Sequence, residues 1–285
     1  MKVLFIHQNF PAQFVHLAPA LAADPKNDIR VLTPSNRPCP QGVKHHRYKI
    51  ERSSSLDIHP WVSDFETKTI RAEAAYWAAI ELKKSGFTPD LIVAHPGWGE
   101  SLFLKEVWPT AKLALYCEFY YQSMGGDIGF DPEFSSQEED LACRLKLKNA
   151  NFDLHLLQAD AGIAPTHYQR SVFPEYFQPK ISVIHDGINT QLIKPNPHVT
   201  MRLNGITLTK NDQIITFVNR NLEPMRGYHI FMRALPKILK ENPKARVIIV
   251  GGDDVSYGSR PPEGASWKQI FLNEVRDGLD MNRVH

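Results

Sequence analysis

The sequence predicts an α/β protein made of two doubly wound domains with parallel sheets. Two observations carry that expectation. Short runs that are apolar throughout alternate with segments of helical periodicity. These runs lack the in–out alternation of a half-exposed strand, so both faces should be covered, as in a parallel sheet. The pattern also restarts after Lys194-Pro195-Asn196-Pro197, where two prolines in four residues suit a linker. The expected domains are residues 1–195 and 196–285.

In chain order, residues 3–6, 29–32, 91–94, 113–117, 162–164 and 181–184 read as strands. Pro11 fits the first position of a helix whose apolar stripe is Phe14, Val15, Ala18, Leu21 and Ala22. Ile70, Ala74, Trp77, Ala78 and Leu82 give a second stripe. Thr166 is a candidate N-cap. In the second domain residues 214–218 form a strand. Ile230, Phe231, Ala234, Leu235, Ile238 and Leu239 make a helix that Pro236 should bend. Residues 246–250 are the next strand, and Ser266 caps a helix with Gly278 beyond its end. Arg283-Val284-His285 opens a third strand. The order βαβαβ belongs to doubly wound domains.

Composition excludes several classes. With 285 residues, 42% hydrophobic and 22% charged, the chain has ordinary globular proportions. A net charge of +2 does not point to nucleic acid. Cys39, Cys117 and Cys143 are odd in number and lack CxxC spacing, so reduced thiols and a cytoplasmic location are expected. The opening apolar run is too short for a signal peptide, and no stretch is long enough to span a bilayer. No GxGxxG follows a strand and no GxxxxGK[ST] is present, which disfavours nicotinamide and P-loop chemistry. HExxH and metal-ligand spacing are absent, so no metal is expected. Lys44–Lys49 and Arg144, Lys146 and Lys148 form basic runs. They are read either as solvated faces or as peripheral contacts with an acidic inner membrane face.

Ligands of open parallel sheets bind at the carboxyl ends of strands. The residues there are His7-Gln8-Asn9-Phe10, then His95-Pro96-Gly97-Trp98-Gly99-Glu100, Glu118-Phe119-Tyr120-Tyr121 and Pro165-Thr166. His7, His95 and Glu118 therefore share one rim, where they could bind, polarise or position an acceptor hydroxyl. The other reading is that they satisfy backbone groups at loop starts. Arg220 and Arg226 fall just past the strand at 214–218. Their planar forks suit phosphate oxygens, and a helix starting near Gly227 adds backbone N–H donors. Gly227 permits close backbone approach. Two solvated surface arginines are the alternative.

Taken together, these residues resemble glycosyltransferase family 4, whose fold is the two-domain GT-B type. Val183-Ile184-His185-Asp186-Gly187-Ile188-Asn189 resembles the family's interdomain segment. Phe217-Val218-Asn219-Arg220-Asn221-Leu222 and Gly227 resemble its Gly-Arg-Leu and following Lys-Gly. Residues 246–252 resemble its Leu-x-Ile-x-Gly-x-Gly strand. The first domain is similar to a bacterial subgroup through its 7–11, 95–99 and 118–121 motifs. The resemblance implies transfer of a sugar from a nucleotide-diphosphate donor as co-substrate, with retention and without a metal or other cofactor. Arg220 and Arg226 would contact the donor diphosphate, with Arg226 standing where lysine is usual. His95 and Glu118 would be catalytic, with Cys117 and Glu118 standing where the family usually presents a histidine near the reacting sugar. His7, Gln8 and Asn9 would form the acceptor-side loop. The acceptor would be a saccharide or a lipid-linked saccharide.

One family motif, Glu-x7-Glu of the donor domain, has no counterpart before His285. The expectation is thus a truncated second domain, with an open sheet edge available for self-association. A non-catalytic binding module and a sugar-nucleotide epimerase remain alternatives at this stage.

Overall fold

The computed structural model describes residues 1–124, 126, 128–129, 131–134 and 139–285. The chain forms two units. One comprises Met1–Phe130 and Ser136–Ile188, the other Asp131–Ser135 and Asn189–His285. The boundary falls seven residues before the expected one. Asn189 explains the shift, because its side chain accepts the backbone N–H groups of Gln191 and Leu192. That local turn starts the second unit ahead of the prolines.

The first unit is a seven-stranded parallel sheet in the order β3-β2-β1-β4-β5-β6-β7. Its strands are β1 (Lys2–Ile6), β2 (Asp28–Thr33), β3 (Lys44–Arg47), β4 (Leu91–Ala94), β5 (Lys112–Tyr116), β6 (Ala161–Ala164) and β7 (Ile181–Val183). The six expected strands agree with these within one residue at each end. The helices are α1 (Leu17–Ala22), α2 (Ser63–Lys84), α3 (Leu104–Val107), α4 (Leu141–Gln158) and α5 (His167–Val172). Alternate residues of β1 feed two cores. Leu4 and Ile6 pack with Ile92, Leu113 and the Ala75–Ala79 face of α2, whereas Val3 and Phe5 pack with Val31, Phe10, Phe14 and Ala18. Burial on both faces explains the uninterrupted apolar runs.

Several expectations are corrected. No helix starts at Pro11. A 3-10 turn spans Ala12–Phe14, and α1 begins at Leu17. Pro19 is the reason: inside a helix running from Pro11 it would delete a backbone bond, whereas in the first turn of α1 its missing N–H costs nothing. In α2 the buried residues are Lys68, Ile70, Ala72, Ala75, Ala79 and Leu82. Ile70 and Leu82 thus hold from the expected stripe, Ala74 and Ala78 pack at the core's margin, and Trp77 is 60% exposed. The run beginning at Lys44 is the edge strand β3, with Lys44 paired to Asp28 at 3.0 Å. Arg144, Lys146 and Lys148 lie on α4. Arg144 reaches Asp140 at 3.4 Å and Lys148 sits over the Tyr121 ring at 4.0 Å. Among the described residues no helix is long and apolar enough to cross a membrane. The three cysteines are free thiols.

The second unit opens with an antiparallel hairpin, β8 (Thr200–Leu203) and β9 (Ile206–Thr209). Its turn is Asn204-Gly205, both at positive φ, as a two-residue hairpin requires. Next, β10 (Ile214–Asn221) pairs in parallel with β11 (Arg246–Gly252). Val284 makes an isolated parallel bridge with Val247, on the edge where a third strand was expected, and the sheet itself has two strands among the described residues. Helices α6 (Tyr228–Glu241) and α7 (Trp267–Val275) close a core of Leu222, Met232, Leu235, Val247 and Phe271. Ser266 caps α7 as expected. Gly278 lies in a short 3-10 turn after it. The α6 stripe is Tyr228, Met232, Leu235 and Leu239 rather than one containing Ile230, which is exposed, and the helix continues through Pro236. In β10 exposure alternates, with Ile214, Thr216, Val218 and Arg220 outward. The expected coverage of both faces is not found there.

Candidate functional site

The chain leaves β1 toward β2 and β3, then returns to β4 and proceeds the other way through β5, β6 and β7. The carboxyl ends of β1 and β4 therefore straddle the point where strand order reverses, which opens a crevice in such sheets. His7 follows β1, His95 follows β4, and Glu118 lies two residues beyond β5. The fold brings all three together. His95 Nε2 lies 2.9 Å from Glu118 Oε2, and the His7 and His95 ring centroids are 5.5 Å apart.

Local hydrogen bonds fix the tautomers. His95 Nδ1 accepts the Gly97 N–H at 3.1 Å, so the neutral ring carries its proton on Nε2 and donates it to Glu118. His7 Nδ1 accepts the Asn9 N–H at 2.9 Å. Its Nε2 is buried without a hydrogen-bond partner. Burial, with His95 beside it, pulls the His7 pKa down to about 3, so the ring is neutral at physiological pH. Gln13 Nε2 adds a second donor to Glu118 Oε2 at 3.1 Å. One carboxylate oxygen is thereby held by two donors while the side chain stays partly exposed. Trp98 packs on both rings, at 4.4 Å from His95 and 4.9 Å from His7. Tyr116 stacks on His95 at 5.6 Å and donates to Asp186 Oδ1 at 2.8 Å. Gln8 and Asn9 are half-buried beside His7, and the Gln8 carbonyl accepts from Thr33 at 3.4 Å.

The loop bearing His95 is anchored from beneath. Asn151 on α4 donates to the Pro96 carbonyl at 2.9 Å. Gly99 has φ +93°, and a Cβ there would stand 2.5 Å from the Lys68 carbonyl oxygen. Glu100 is 1% exposed, and both carboxylate oxygens lack a hydrogen-bond partner. The nearest guanidinium, that of Arg71, is 3.9 Å away. Burial pushes the Glu100 carboxyl up to about 7. Because the folded state then holds its proton more tightly than the unfolded chain, the contribution of Glu100 to stability is full below about pH 4.5. It falls as pH rises toward 7. The difference is on the order of 3 kcal/mol. Glu100→Gln should remove this loss, so the variant gains on the parent between pH 4.5 and 7.5 in urea titrations. A parent–variant difference independent of pH would disprove the assignment. His7 and His155, both held neutral by burial, act in the opposite sense below pH 6.5. The difference between variant and parent is therefore the quantity to read.

Beyond β5, Tyr120–Met124 and α4 line an open, shallow cleft of about 460 Å³. Tyr120 Oη donates to Asp153 at 2.9 Å. The Asn149 amide bonds the Tyr121 backbone in both directions, at 3.0 and 2.7 Å. Lys146 and Met124 complete the wall.

In the second unit the arginines separate in character. Arg220 lies within β10 rather than past its end, because the strand continues to Asn221, which pairs with Gly252 after a register shift. Its side chain is exposed, with no ion-pair partner among the described residues. Arg226 is half-buried, 3.5 Å from the fully buried Glu223 and over the Tyr257 ring at 5.0 Å. Glu223 Oε2 also accepts the Ser256 N–H at 2.5 Å. Gly227 precedes α6 at φ +74°, and a Cβ there would meet nothing within 4 Å. Backbone conformation, not crowding, is what calls for glycine at that position.

Sequence reasoning missed Gln13, Trp98, Tyr116, Asp186 and Glu223 as neighbours of these groups. Asp186 was within reach, since it follows the carboxyl end of β7 and the same strand-end rule applies.

Comparison with known proteins matches this architecture. The catalytic domain of starch synthase IV from Arabidopsis thaliana, bound to ADP and acarbose, superposes with TM-score 0.57 at 14% identity. That match covers 100% of this chain and 73% of the other. A UDP-glucosyltransferase from Polygonum tinctorium gives TM-score 0.51 at 13% identity, covering 100% and 70%. At such identities these likenesses show the fold alone, which is of the GT-B type. A D-inositol 3-phosphate glycosyltransferase of Segniliparus rotundus is 24% identical over 110 residues, covering 38% of this chain. The match spans only 24% of that relative's length. The glycosyl transferase family 4 group matches residues 25–193, more than half of the sequence, and the chain belongs to that family.

Proposed function

We propose that this protein transfers a sugar from a nucleotide-diphosphate donor to a hydroxyl of a saccharide or lipid-linked acceptor, with retention and without a metal. The observation that carries the reading is the His7–His95–Glu118 cluster at the strand-order reversal of a family 4 chain. In such a transfer the bond from the anomeric carbon to the diphosphate breaks, and negative charge grows on the leaving group. The acceptor oxygen forms the new bond and gives up its proton. Glu118, oriented by His95 and Gln13, is the group proposed to hold the reacting hydroxyl. Neutral His7 and the Trp98 face would form the wall against the sugar. The cleft beyond β5, with aromatic faces, an amide and a lysine, suits a polyhydroxylated acceptor.

In the second unit Arg220 is assigned to the leaving diphosphate. Arg226, drawn to Glu223, is assigned a supporting part. Arg220→Ala is expected to weaken nucleoside-diphosphate binding by about 1.5–3 kcal/mol, as for loss of a charged hydrogen bond. Calorimetry with UDP, GDP and ADP would check this, and unchanged affinity would remove Arg220 from the site.

The reading as a whole is tested by incubating the protein with UDP-, GDP- and ADP-sugars, with and without saccharide and lipid-linked acceptors. Nucleoside diphosphate release and the anomeric configuration of the product, by NMR, are the readouts. Acceptor-dependent release with retained configuration supports the proposal. Failure to bind or turn over any nucleotide sugar overturns it.

A further inference from the structure

Spacing along the chain gave no sign of a metal site, but folding brings three ligand-type side chains together. Asp131 and Glu133 lie in the short segment that belongs to the second unit, and His229 lies in the first turn of α6. One ligand-type atom from each of the three falls within 4.8 Å of the others. His229 is 2% exposed, and neither ring nitrogen has a hydrogen-bond partner. Its Nε2 is nevertheless 2.8 Å from Asp131 Oδ2, a close approach off the hydrogen-bond direction. A buried ring with both nitrogens unbonded is costly unless something else satisfies it.

We propose that Asp131, Glu133 and His229 bind one divalent transition-metal ion. Two ligand atoms sharing an ion at bond lengths near 2.0–2.1 Å stand about 2.9–3.4 Å apart, depending on geometry. The observed 2.8 Å falls about 0.1 Å short of that range, so a small outward turn of Asp131 would admit the ion. One imidazole nitrogen with two carboxylate oxygens suits zinc, cobalt or manganese. The absence of sulfur from the set disfavours copper(I). A fourth position is left for water. Phe134 and Phe271 hold the imidazole from two sides, with ring centroids at 5.0 and 5.6 Å. Rigid packing of that kind orients a ligand ring.

Glu133 makes a two-pronged ion pair with Arg233, at 2.6 and 2.7 Å. Arg233 has a second carboxylate in Glu274, at 2.6 and 3.1 Å. Turning Glu133 toward the ion therefore leaves the arginine paired. The ion would fasten the 131–134 segment to α6, a part played outside the transfer site.

The test is equilibrium dialysis of the EDTA-treated protein against Zn²⁺ at pH 7.5, with bound metal counted by mass spectrometry. Co²⁺ absorption in the visible range reports geometry. One equivalent is expected, with the visible bands of a four- or five-coordinate nitrogen–oxygen site. Asp131→Asn, at a partly exposed position, should keep the fold by circular dichroism and weaken Zn²⁺ at least about tenfold. His229→Gln should do the same or more. No metal uptake by the parent overturns the proposal. So does an Asp131→Asn variant that binds Zn²⁺ as tightly as the parent, which would place the ion on other histidines.

Discussion

Gly99→Ala is expected to destabilise the first unit by about 4 kcal/mol, through overpacking and backbone strain acting together. Gly99 occupies the left-handed region at φ +93°, where a side chain is strained at the outset. An added Cβ would also stand 2.5 Å from the Lys68 carbonyl and 2.8 Å from its Cβ. The first of these is backbone inside α2, a long helix packed on the sheet core, so it cannot swing aside. Urea denaturation followed by circular dichroism gives the measurement. A loss below about 1 kcal/mol would mean that the 95–100 loop yields easily, and that it does not hold His95 rigidly. Gly227→Ala is the matched control for strain without crowding, since nothing lies within 4 Å of its would-be Cβ.

His95→Ala is expected to lower kcat for sugar transfer by roughly 10²–10³-fold with little change in donor KM. The ring supplies the N–H that orients Glu118, and it also fills the space between Trp98 and Tyr116. His95→Gln separates these parts, because an amide can still donate to the carboxylate but cannot reproduce ring stacking or ring protonation. Partial recovery in the Gln variant would identify orientation of Glu118 as the main contribution. Equal activity of the Ala variant and the parent would remove His95 from the chemistry. Nucleotide release and product formation should be followed separately, so that donor hydrolysis is not mistaken for transfer.

The central part of the fold was legible because its strands are buried on both faces and leave continuous apolar runs. β3 was not, since Lys44-His45-His46-Arg47 has no apolar signature. It is an edge strand whose pairing comes from β2, and a charged edge resists further pairing. The β8–β9 hairpin carried a readable sign, the Asn-Gly pair at 204–205, within a run too short and polar to read as strands. Pro19 limited α1, a constraint visible in the sequence but outweighed there by periodicity. Trp77 misled because helical spacing counts apolar residues without regard to size, whereas the α2 face against the sheet admits mainly alanines. The rim residues His7, His95 and Glu118 were found by one geometric rule. Gln13 was not, because it reaches Glu118 from the 3-10 turn after β1, and no strand end marks it. Asp131 and His229 meet only through tertiary structure, which spacing along the chain does not encode.

The strand order also governs when the site can exist. β1 is flanked by β2 on one side and β4 on the other, and its partner segment at Asp90 lies 88 residues away. At ribosomal rates of 5–20 residues per second, β1 waits roughly 4–18 s for that neighbour to be made. During the wait one edge of Val3-Leu4-Phe5-Ile6 is unpaired, and the apolar faces lack much of their cover. His7 and His95 meet only after the wait ends. The site therefore cannot assemble until the chain has passed Glu118, and the strand at its centre keeps an open edge for most of that time.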